Sequence, residues 1–171
     1  MPLPTDRLDL DINKSKSRIL KKILSILHFQ FGTDIFNGIL TESRIDIDFS
    51  RNTGNIKYIY LDSERIFSYK PTVGLFSLSI EGARLLHTHT TSPHHRVIIQ
   101  TEVEEFIREG KSVFAQHIVG IDETLRIGSE VLIVNEYDQL IAIGKLNVPP
   151  TYVGLSVGQA VNVRKGIPKI T

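Results

Sequence analysis

Residues 96–115 read RVIIQTEVEEFIREGKSVFA and set the pattern for the second half of the chain. Arg96-Val97-Ile98-Ile99 is short and β-branched, which suits a strand. Thr101 to Glu109 then reads as a helix. Thr101 is placed to cap it, and Glu104 follows three residues later in a capping-box pattern. Gly110 ends the helix, because glycine tolerates the left-handed backbone that a helix stop requires. Val113–Val119 is β-rich again. Downstream, Glu130–Val134, Leu140–Leu146 and Ala160–Val163 repeat the pattern, with a hairpin turn at Asn135–Asp138 and a break at Gly128. Short strands around one helix, in about 75 residues, predict a small closed β-barrel.

Upstream the pattern changes. Leu20, Ile23, Leu24, Leu27 and Phe31 recur at helical spacing and predict an amphipathic helix over Lys14–Phe31. Asn13 is the expected N-cap and Gly32 the expected stop. Arg44–Phe49 alternates apolar and polar residues, and Asn52-Thr53-Gly54-Asn55 signals a turn before the strand Ile56–Leu61. Further strands are expected near Arg65–Tyr69 and Leu75–Ser79, then a short helix, Ile80–Leu86. His87–His95 (HTHTTSPHH) has no hydrophobic period and reads as a loop or linker between two halves. The class is α+β.

Composition narrows the function. The chain has 171 residues, 41% hydrophobic and 23% charged, the values of a globular protein that can bury a core. It has no cysteine, which excludes disulfides, thiolate nucleophiles and Cys-type zinc sites. The halves on either side of His95 carry 12 and 8 Lys+Arg against 10 and 9 Asp+Glu, so a nucleic-acid surface must be a local patch. Asp6, Arg7 and Asp9 precede any apolar run, so no signal peptide is expected. No apolar stretch approaches the roughly 18 residues of a membrane span. A cytoplasmic protein is expected.

Catalytic patterns are scarce. His87, His89, His94 and His95 fall close together, but no acid lies within the segment to orient a ligand ring, so no metal site is expected. Asp46 and Asp48 share one side of a strand and read as its polar face. P-loop, GxGxxG, HExxH and GxSxG patterns are all absent. The first helix is different. Lys14, Lys16, Arg18, Lys21 and Lys22 stand at its expected beginning, with no acid between Asp11 and Asp34. Cations there oppose the helix dipole. That arrangement fits a surface meant for an anion, either RNA or an acidic partner.

The spaced blocks Arg96–Ala115, Leu125–Glu136, Leu140–Gly144 and Gly158–Gly166 together resemble a PUA domain. PUA is the RNA-binding module of pseudouridine synthases and archaeosine transglycosylases. Gly74–Arg84 resembles the small α+β domain that precedes PUA in the archaeal tRNA-guanine transglycosylases. The resemblance implies a pre-PUA-like domain over residues 1–90 and a PUA domain over 95–171. It implies RNA binding through Arg108, Gly110, Lys111, Ser112, Phe114, Gln116, Arg164 and Lys165. Gly110 would bring backbone amides and the Lys111 cation to phosphate, and strand alternation would set Phe114 on one face with Ser112 and Gln116. Gly110 and Gly144 also fit plain turn geometry, and Phe114 fits core packing. Lys14, Arg18, Lys21 and Lys22 form a possible second surface for RNA or a partner.

The resembled enzymes have a large catalytic barrel and a cysteine-containing zinc site, and this chain has neither. The resemblance therefore implies a non-catalytic, cofactor-free tRNA-binding protein that serves a separate catalytic subunit in archaeosine-type modification. A PUA protein of ribosome assembly or translation initiation is a second reading. An enzyme with a cleft between the two halves is a third.

Overall fold

The computed structural model describes residues 5–32 and 34–170, with side chains from residue 14 onward. It divides into two compact units at Ser77/Leu78.

The first unit begins with helix α1, Thr5–Phe31. Leu20, Ile23, Leu27 and Phe31 are buried at helical spacing, as the periodicity predicts. The helix start is a correction: Asn13 is not its N-cap but lies well inside it. No proline or glycine falls between Thr5 and Phe31, so nothing in the sequence breaks the helix there. The basic cluster therefore sits in mid-helix, away from the positive end of the helix dipole. Four strands follow in the order β1 (Ile45–Phe49), β2 (Ile56–Leu61), β3 (Glu64–Lys70) and β4 (Leu75–Leu78). β1 and β2 form the expected antiparallel hairpin, with Ile45 opposite Leu61. Phe31, Phe36, Phe67 and Phe76 pack as a chain of rings that joins helix to sheet. The Gln30 amide donates to the Phe76 carbonyl at 2.6 Å and accepts its N–H at 2.9 Å, so it satisfies backbone on β4. Each fully buried Ile, Leu or Phe of this core contributes about 1.5–3 kcal/mol.

The second unit opens with helix α2, Ile80–His89, whose first turn is capped by the Ser79 hydroxyl accepting the Gly82 N–H at 3.0 Å. His87 and His89 lie in its last turn, so the histidine-rich stretch is not a free linker. The cause is Arg96, which is 1% exposed. Its guanidinium donates to the carbonyls of His87, Thr90 and His94 and to the carboxylate of Asp138. A buried cation must find such partners, and it ties the stretch down in doing so.

Six strands then form one sheet: β5 (Arg96–Ile99), β6 (Val113–Phe114), β7 (Ile118–Ile121), β8 (Glu130–Val134), β9 (Leu140–Leu146) and β10 (Gln159–Gly166). Their order is β6-β10-β9-β8-β5-β7. The expected strand Val113–Val119 is in fact two strands parted by a 3-10 turn at Ala115–His117. β6 pairs with β10 at one end of the sheet and β7 with β5 at the other. The turn carries the chain between those ends and nearly closes the barrel. Val97, Ile99, Val131, Ile133, Ile141 and Val161 fill its core at 0% exposure.

The helix after β5 also departs from expectation. Thr101–Val103 is a 3-10 turn and only Glu104–Arg108 is α-helix, α3. The capping box is absent. Thr101 instead donates its N–H and hydroxyl to Glu136, and Glu104 turns inward to Arg108 and Asn135.

Candidate nucleic-acid interface

Strand β10 and the segment from α3 to β6 run side by side in opposite directions. Phe114 stands opposite Gln159 and Val113 opposite Val161. At the far end Gly166 rests on the Arg108 carbonyl so closely that any Cβ would collide with it. Lys111 lies on one of these adjoining segments and Lys165 on the other, and both are exposed. Among the described residues neither has an ion-pair partner.

Gly110 has φ +92°, the left-handed backbone that favours glycine. Its N–H donates to the Ile107 carbonyl at 3.0 Å, and the Lys111 N–H donates to the Phe106 carbonyl at 3.1 Å. This pair is a Schellman stop. The two amides are therefore already engaged, which corrects the expectation that they would face phosphate. Gly144 is also not a turn residue. It lies within β9, where a Cβ would meet the Asn162 carbonyl oxygen at 2.5 Å.

The two arginines are engaged by buried carboxylates. Arg108 donates to Glu104 at 3.0 and 3.1 Å and to the Ile167 carbonyl at 2.6 Å. Burial works to raise the Glu104 carboxyl; hydrogen bonds from Asn135 and Arg108, with the charges of Arg108 and Lys169, outweigh it and hold the group below the usual range. Arg164 donates through both terminal nitrogens to both oxygens of Glu130, at 2.7 and 2.6 Å, and to the Leu78 carbonyl. These guanidiniums hold the α3 and β10 backbones in place, and the neighbouring lysines are left to face solvent.

Ser112 accepts a hydrogen bond from the Gln159 amide at 2.8 Å. Phe114 is 46% exposed, so core packing does not claim it. Gln116 is exposed as well, although it belongs to the 3-10 turn and not to a strand. Beside this edge runs the loop through the 3-10 segment Pro150–Leu155. The Ala115 N–H donates to the Gly158 carbonyl at 2.9 Å and anchors it there. The loop leaves Tyr152, Leu155 and Val157 exposed, and sequence reasoning missed all three. Their only signal is apolar residues without a period inside a Pro/Gly-rich segment. Exposed rings beside exposed cations can stack on bases while the cations meet phosphate.

Asp46 and Asp48 are exposed on β1, opposite Tyr60 and Tyr58, as the polar face of a strand. Among the described residues no three His, Asp or Glu converge on a possible metal position. No described helix is long and apolar enough to cross a membrane.

Comparison with known proteins gives two domain matches. Residues 21–93 match the patch-forming domain C2 of tRNA-guanine transglycosylase, and residues 95–167 match the PUA domain. The chain is 39% identical over 151 residues to the tRNA-guanine(15) transglycosylase of Methanobrevibacter smithii, and 41% identical over 148 residues to that of Methanothermobacter thermautotrophicus. These matches take in 88% and 86% of this chain but 23% and 22% of the relatives, so the chain spans about a quarter of their length. Among solved structures, a hypothetical protein from Pyrococcus horikoshii superimposes with TM-score 0.69 at 22% identity, over 88% of this chain and 90% of that one. A PUA domain protein from Thermoplasma acidophilum superimposes with TM-score 0.59 at 18% identity, over 91% of each. These two share the fold.

Proposed function

The chain is a PUA-domain protein that resembles the C-terminal part of archaeal tRNA-guanine transglycosylases, and on that premise we propose that it grips tRNA for an archaeosine-type modification carried out by a separate catalytic subunit. The observation that carries this reading is the pairing of β6 with β10, because it sets Lys111 and Lys165 on adjoining exposed segments. Each lysine meets a phosphate of the acceptor arm. A duplex is held mainly by its backbone and shape, so cations on a rigid barrel suffice to seat it. Phe114 and Tyr152 add rings for an unpaired base at the arm's end. Arg108 and Arg164 are positioning residues, since their guanidiniums are spent on Glu104 and Glu130. The chain itself performs no base exchange, needs no cofactor and works in the cytoplasm. The test is fluorescence anisotropy with tRNA at low and moderate salt. Binding that weakens steeply with salt supports the reading, and absence of binding at low salt overturns it.

A further inference from the structure

We propose that the outward face of α1 is a second RNA-binding surface, tracking a phosphate backbone through Lys14, Arg18, Lys21 and Lys22. The proposal rests on the RNA-binding reading above. The helix turns about 100° per residue, so these four side chains and Ser25 share one arc of roughly that width. Leu20, Ile23 and Leu27 are buried on the other side, and the four cations are exposed. Steps of four residues from Lys14 to Arg18 to Lys22 each advance about 6 Å along the axis, which makes a line of charge.

Elsewhere in the molecule several cations are held by a carboxylate. Arg44 pairs with Asp62, Arg84 with Glu81, Arg96 with Asp138, Arg108 with Glu104 and Lys169 with Glu105. No ion pair joins any of the four α1 cations to a partner among the described residues. No acid occurs in the sequence between Asp11 and Asp34 to interrupt them. A helix face serving only its own stability would place acids four residues from its cations. Here Lys14–Arg18 and Arg18–Lys22 are like charges at that spacing, and each repels. The helix dipole does not favour cations here either, because the cluster lies in mid-helix. A row of like charges, without an ion-pair partner among the described residues, works against its own helix and finds compensation in a repeated anion. An RNA backbone supplies one and releases its counterions on contact.

The test uses the full chain with Lys14, Arg18, Lys21 and Lys22 all changed to Gln, which keeps helix propensity. Thermal melting should be unchanged or slightly raised as the like-charge pairs vanish. Anisotropy with tRNA across salt should show at least a tenfold loss at low salt, and a salt slope reduced by about one per lost contact. The Lys111→Ala/Lys165→Ala variant is measured beside it. If the α1 variant keeps wild-type affinity and slope while the barrel variant loses both, the α1 proposal is overturned and the barrel reading stands. If the α1 variant keeps RNA binding but loses retention on polyglutamate, the partner is an acidic protein and the RNA assignment is overturned. If the wild-type chain binds no tRNA at low salt, both fall.

Discussion

Arg164 holds Glu130 by both carboxylate oxygens, at 2.7 and 2.6 Å, and thereby fastens β10 to β8 across the width of β9. Glu130 is 5% exposed in its side chain, and Arg164 is the cation that pairs with it. Arg164→Ala strands a buried carboxylate and should cost about 3 kcal/mol, the lower range for breaking a buried pair. Urea denaturation measures the loss. Lys165→Ala, one residue away and exposed, should stay within about 0.5 kcal/mol of wild type. Equal stability of the two variants would remove Arg164 from its positioning role.

The lysine edge makes a separate prediction. Lys111→Ala with Lys165→Ala should melt like wild type, because exposed charges add little to stability. The pair should weaken tRNA binding and lower the salt slope by about two. Salt-dependent anisotropy checks both. An unchanged slope would place phosphate contacts elsewhere.

Gly166 and Gly110 are both glycine, for different reasons. A Cβ on Gly166 collides with the Arg108 backbone, which cannot move as a flexible side chain can. Gly166→Ala should cost about 1–3 kcal/mol through overpacking. Gly110 has open space around it but a positive φ. Gly110→Ala should therefore cost about 1–2 kcal/mol from backbone strain alone. Gly110→Asn should recover part of that, since asparagine tolerates the left-handed region. Melting temperatures of the three variants decide it.

Acid should unfold the second unit through Glu104 and Asp122. In both, burial works to raise the carboxyl and hydrogen bonds outweigh it, from Asn135 and Arg108 at Glu104 and from Thr124 and the His95 N–H at Asp122. The folded values lie below the unfolded ones, so the stabilisation is complete above the ordinary carboxylate range near about 4. It disappears as pH falls through the lower folded values. Glu104→Gln should lower the melting temperature at neutral pH and flatten its decline between about pH 5 and pH 2. A parallel decline in the variant would assign the acid sensitivity to other groups.

Labelled guanine should not enter tRNA when the chain is supplied alone. Incorporation above background, with no other protein present, would overturn the non-catalytic reading.

Much of this molecule was written locally. The hairpin Ile45–Leu61 followed from alternation and an Asn-Thr-Gly-Asn turn, and the buried face of α1 followed from helical spacing. Both patterns are set by neighbours in sequence, and burial then only confirms them. The beginning of α1 was misplaced because asparagine at residue 13 looks like a cap, and a residue's fitness to cap does not prevent it from continuing a helix. The candidate site residues of the barrel were those the resemblance implied. Their state was another matter: the resemblance grouped Arg108, Lys111, Arg164 and Lys165 as cations of one kind.

Local pattern alone established that α and β elements occur together and that a basic helix and a glycine-stopped helix lie among them. These depend on propensity, periodicity and backbone permissions that act within a few residues. Which cations of the barrel edge are paired and which face solvent depends on long-range contacts. Glu130 lies 34 residues before Arg164 in the chain and Ile167 lies 59 beyond Arg108, yet each is a hydrogen-bond partner. Closure of the barrel brings them together. A buried charge must be paired and an exposed one need not be, so the burial of Glu104 and Glu130, a property of the whole fold, engages Arg108 and Arg164 and leaves Lys111 and Lys165 facing water.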